Sequence, residues 1–105
     1  MDREILEWIA AHTGSPELTA QLTHAKVKKR DQLGTGFFVY FERVAGQPSV
    51  EGHVRPICPH IESRELLDGA GCDLFIRDGH IHYLEVYARG GFMPKSLEDF
   101  TLRKS

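Results

Sequence analysis

Residues Gly71–Tyr87 read GCDLFIRDGHIHYLEVY. Two runs rich in Leu, Phe, Ile, Tyr and Val flank Asp78-Gly79. That dipeptide suits a two-residue type I′ turn, because both central residues need positive φ, which Asp tolerates and Gly adopts freely. A regular hairpin about this turn pairs Arg77 with His80, Ile76 with Ile81, Phe75 with His82, Leu74 with Tyr83, Asp73 with Leu84 and Cys72 with Glu85. One face then carries Cys72, Leu74, Ile76, Ile81, Tyr83, Glu85 and Tyr87, and the other Asp73, Phe75, Arg77, His80, His82, Leu84 and Val86. Both faces hold large apolar side chains, so each requires a cover.

Working outward, Gly36–Phe41 (GFFVYF) is aromatic and β-branched, the composition of a strand. Phe37, Val39 and Phe41 share one side of it, Phe38 and Tyr40 the other, which marks a central strand. Ala25–Asp31 extends this pattern as a strand, with Lys26, Lys28 and Arg30 on the wet side and Val27 inward. Between Val50 and Ile61, Pro56 and Pro59 each remove a ladder donor, placing that segment at an edge or making it irregular. Ser63–Leu67 is too short for periodicity to decide between a helical turn and a strand. Pro94–Phe100 reads as a closing turn that docks Leu97, Phe100 and Leu102, with Arg103-Lys104-Ser105 frayed beyond it.

Two helices precede the sheet. Asp2 is placed to cap the first, Ile5, Leu6, Trp8 and Ile9 fall on one side at helical spacing, and Gly14 stops it, predicting a helix over 3–12. Ser15-Pro16-Glu17 starts the second with a capping hydroxyl, Pro at the first helical position and an acid in the first turn, and Leu18 and Leu22 share its buried face to an end near His24. Helices first and a mainly antiparallel sheet of four to six strands after them make an α+β fold, read as one domain over 1–105.

Composition narrows the classes of function. The balance of 13 Lys+Arg against 15 Asp+Glu gives no global case for nucleic acid or an anionic membrane. No apolar run reaches the 18 or so residues of a membrane span. Met1–Ala10 is acidic and amphipathic, unlike a signal peptide. Cys58 and Cys72 without a secretion signal read as reduced thiols of a cytoplasmic protein, bridged only if their strands are neighbours.

Candidate chemistry is sparse. His80-x-His82 on one strand is the best metal-ligand pair, yet no spacing among His53, Cys58, His60, Cys72, His80 and His82 matches a structural zinc site. Glu85, set between Leu84 and Val86 on the face of Leu74 and Ile81, is a candidate acid or base with His82. Gly34-x-Gly36 precedes a strand and is a turn, not a nucleotide loop. The Lys26/Lys28/Lys29/Arg30 run reads as solubilising edge chemistry, and no cofactor is implied. What remains is the second sheet face: Phe38 and Tyr40, with the hairpin, need a cover that two short helices do not supply, and an apolar patch of this kind marks a partner site.

Ala25-x-Val27 with its basic neighbours, Gly34-Thr35-Gly36-Phe37-Phe38, Gly71–Arg77, Asp78-Gly79-His80 and Leu84-Glu85-Val86-Tyr87 together resemble a family of small uncharacterised bacterial α+β proteins, some of them immunity-like partners of toxins. The resemblance implies no catalytic residues and favours binding to another protein. The expectation is a non-catalytic cytoplasmic protein-binding module or homodimer, with a small metal-dependent or acid/base enzyme using His80, His82 and Glu85 as the alternative.

Overall fold

A computed structural model describes residues 1–105. Helix α1 (Asp2–Thr13) and helix α2 (Pro16–Thr23) precede strands β1 (Val27–Leu33), β2 (Gly36–Phe41), β3 (His60–Glu62), β4 (Ala70–Arg77), β5 (His80–Ala88) and β6 (Thr101–Arg103). The six strands form one antiparallel sheet in the order β1-β2-β5-β4-β3-β6. The α+β architecture is the one the sequence predicts.

Local chemistry explains the helices. Gly14 ends α1 in the left-handed region at φ 72°, where a side chain would be strained. The Ser15 hydroxyl accepts from the Leu18 N–H at 3.2 Å and Pro16 occupies the first helical position, which together start α2. Asp2 is not the cap: Met1 takes that position with no side-chain bond, and the Asp2 carboxylate instead accepts from Arg30 at 2.8 Å. Arg30 stays exposed but on the helix side of the sheet, where it lies over the Phe37 ring, 4.1 Å from its centroid, with its charge held by Asp2. Val27, expected inward, is 53% exposed, because β1 is an edge strand that is exposed along nearly its whole length.

The turn at Asp78-Gly79 has the predicted positive φ values of 53° and 77°. The hairpin register, however, holds only for Arg77–His80 and Ile76–Ile81. An extra residue on β5 at His82 then pairs Phe75 with Tyr83, Leu74 with Leu84, Asp73 with Glu85 and Cys72 with Val86. Because strand side chains alternate, one inserted residue exchanges the faces of everything beyond it. Leu84 and Val86 become fully buried beside Cys72 and Leu74, while Tyr83 and Glu85 turn the other way. The bulge lets both apolar sets be used: Ile81 reaches the core on one side of it and Leu84 on the other.

The core gathers Ile5, Leu6 and Ile9 of α1, Leu18 and Leu22 of α2, and Phe37, Val39, Phe41, Leu84 and Val86 of the sheet. Val50, Leu66, Met93 and Leu97 close it from the connecting segments. Burying each of these side chains contributes about 1.5–3 kcal/mol before the entropy of ordering it. Residues 42–59 are irregular, as the prolines require. Ser63–Leu67 forms turns rather than a helix or strand. Leu97 docks into the core with Phe100 and Leu102 against it, but Arg103 is not frayed: it closes β6 on β3 and holds Glu62. No helix is long and apolar enough to cross a membrane.

Candidate binding face

Opposite the helices, the alternation of β2, β5 and β4 leaves Phe38, Tyr40, Tyr83, Glu85 and Tyr87 half-buried and Asp73, Phe75 and Arg77 exposed. The pairing arranges these side chains in rows across the strands. One row runs Asp31 (β1), Phe38 (β2), Glu85 (β5), Asp73 (β4). The next runs Lys29, Tyr40, Tyr83, Phe75.

The second row is an aromatic band. Phe75 stacks on Tyr83 with ring centroids 4.4 Å apart, and Tyr83 meets Phe38 at 5.6 Å and Tyr40 at 5.7 Å. His82, displaced by the bulge, lies edge-on to Tyr83 at 5.2 Å and to Tyr40 at 6.4 Å. Lys29 extends over the Tyr40 ring at 5.0 Å and pairs with Asp31 at 3.6 Å. Such ring contacts add about 0.5–1.5 kcal/mol each beyond area burial. Phe75 stays 40% exposed at its end.

The first row is acidic. Asp73 and Glu85 face each other directly across β4 and β5, and neither has an ion-pair partner within the chain. Like charges in directly opposed positions cost stability. Glu85 is thus not on the face of Leu74 and Ile81 where the sequence placed it; the bulge turns it out beside Phe38. Nearby, Tyr87 lies across Gly71, where any Cβ would strike its ring. Burial first, and then the charge of Asp73, pushes the Tyr87 hydroxyl pKa above its ordinary value.

Among the expected metal and catalytic candidates, His80 Nδ1 donates to the Asp78 carbonyl at 3.0 Å beside the turn, and His80 lines a cleft with Gln21 and Glu42. His82 and Glu85 share the open face, separated along β5 by Tyr83. No three His, Cys, Asp or Glu side chains gather as a metal-ligand set. His60 is buried and accepts from Arg89 Nε at 3.0 Å. A cleft of about 430 Å³ adjoins the aromatic band, lined by Lys28, Lys29, Arg43, Tyr40 and His82.

Cys58 and Cys72 are free, and they are neighbours. The buried Cys72 thiol donates to the Pro59 carbonyl at 3.3 Å. Interaction with the Cys72 thiol lowers the Cys58 pKa against the opposing effect of burial, and the Leu74 N–H adds to the lowering. The same contact, together with burial, raises the Cys72 pKa.

Phe38 and Tyr40 were legible as an unpaired strand face. Phe75 and Tyr83 were not, because a regular register puts them on opposite sides. The only available signal was the apolar content of both hairpin faces. No family model, curated protein or solved structure matches this chain.

Proposed function

We propose that this chain is a protein-binding module acting through the open face of its sheet, in the cytoplasm, where Cys58 and Cys72 remain thiols. One observation carries the reading: Phe38, Tyr40, Phe75 and Tyr83 form a pre-stacked aromatic band on the face opposite the helices. Rigid aromatic side chains supply contact area at low entropic cost and dominate the centres of protein interfaces. The carboxylates of Asp31, Asp73 and Glu85 beside the band favour a protein over a polyanion, since they repel phosphates brought against the rings.

A photo-cross-linking amino acid at position 75, with one at the half-buried Glu17 of α2, on the helix side of the sheet, as control, tests this in producing cells. A discrete protein adduct, to a second copy or to another protein, is expected from position 75 and absent from position 17. No adduct from position 75, or the same adducts from both, rules the reading out.

A further inference from the structure

Around Phe75 the open face is self-complementary in charge. On β4, Asp73 and Arg77 each lie two residues from Phe75, on opposite sides of it, and both point to the open face by the alternation of the strand. Both are exposed and neither is in an ion pair. A two-fold axis running across the strands along the Tyr83–Phe75 row carries each residue past that row by the same distance in the opposite sense. It therefore sets Asp73 of one protomer against Arg77 of its partner, twice, and lays the two aromatic bands on each other.

We infer that the occupant of this face is a second copy of the chain, packed sheet on sheet about that axis. The inference rests on the interface reading above and names its partner. Two sheets packing face to face lie about 10 Å apart with the layer between them filled by side chains, and the aromatic band supplies such side chains. A symmetric pair uses one patch twice, so the patch must match itself in charge as well as shape. Here the acidic row containing Asp73 and Glu85 lies on one side of the band, and Arg77 lies on the other. The direct opposition of Asp73 and Glu85, unfavourable in the isolated chain, is relieved when a partner's guanidinium stands over them. Ion pairs at the margin of an interface fix register and partner more than affinity, so charge exchange reads the geometry directly.

The test is sedimentation equilibrium of the full chain at micromolar to several hundred micromolar concentration, with circular dichroism to confirm folding of each variant. The expected mass is twice the 11.9 kDa of the monomer. Asp73→Arg and Arg77→Asp are each expected to weaken association at least tenfold, since each brings like charges together. The double variant Asp73→Arg/Arg77→Asp is expected to restore the dimer, because the exchanged pair is complementary again. A monomeric wild type, a dimer indifferent to both single changes, or a double variant that stays monomeric overturns the inference. A monomer that still cross-links another protein from position 75 leaves the interface reading standing and removes only the second copy. A monomer with no cross-link removes both.

Discussion

The Gln21 side chain pairs with the backbone of Ile81 as though it were a strand: its Oε1 accepts from the Ile81 N–H at 2.9 Å, across 60 residues of sequence. Its Nε2 donates to the Gly79 carbonyl at 2.9 Å and to the Pro48 carbonyl at 2.7 Å. Val50 N–H also reaches the Gly79 carbonyl, at 2.8 Å. One buried carboxamide on α2 thus ties together the hairpin turn and the irregular segment that follows β2.

Gln21→Ala strands a buried N–H and removes a donor from two carbonyls, and is expected to lower stability by about 2–3 kcal/mol. Gln21→Glu keeps the acceptor but sets a carboxylate against two carbonyl oxygens. Those oxygens disfavour its charged form, so its folded pKa is raised and its penalty falls as the pH drops and the group protonates. Urea denaturation at neutral and mildly acidic pH checks both. A Gln21→Ala chain as stable as the wild type would mean that the carboxamide does not clamp the turn.

The acidic pair on the open face predicts a stabilising substitution. Glu85→Gln, measured where the chain is monomeric, is expected to raise stability by about 0.2–1 kcal/mol by ending its opposition to Asp73. Thermal unfolding at low ionic strength is the measurement, and the gain should shrink in salt. A loss of stability would mean that Glu85 makes a favourable contact in the folded chain.

The thiol pair predicts an order of alkylation. With Cys58 lowered and Cys72 raised, iodoacetamide is expected to modify Cys58 first, while Cys72 retains its proton. Cys72→Ala removes the main cause of the lowering and should slow modification of Cys58 at neutral pH. Peptide mapping by mass spectrometry over time decides it; equal rates at the two sites would contradict the arrangement.

The β3–β6 edge predicts a local pH dependence. Two nitrogens of Arg103 donate to Glu62 Oε1, at 2.9 and 2.6 Å, and hold its carboxyl below a glutamate's ordinary 4.5, with His60 adding to the effect. A lowered folded pKa gives stability that is present above the unfolded value and lost as pH falls through the folded one. Amide exchange at Thr101–Arg103 should therefore accelerate below that ordinary value, while the β4–β5 hairpin stays protected. In Arg103→Ala the acceleration should vanish.

The amino-acid sequence alone determined what depends on neighbours in the chain. Gly14 stopping α1, Ser15-Pro16 starting α2 and Asp78-Gly79 turning the hairpin are local conformational preferences, legible because three or four residues decide each. The α+β class followed from them and from the apolar pattern. Tertiary packing alone decided the inserted residue at His82, because only the core distinguishes a register that buries Leu84 and Val86 from one that buries Tyr83 and Glu85. In a strand a one-residue slip reverses every side chain beyond it, at almost no cost in backbone hydrogen bonds. The same packing placed Arg30 over Phe37, joined Gln21 to Ile81 and brought Phe75 onto Tyr83. The aromatic band is therefore a product of the register, and the register is a product of the core on the other side of the sheet.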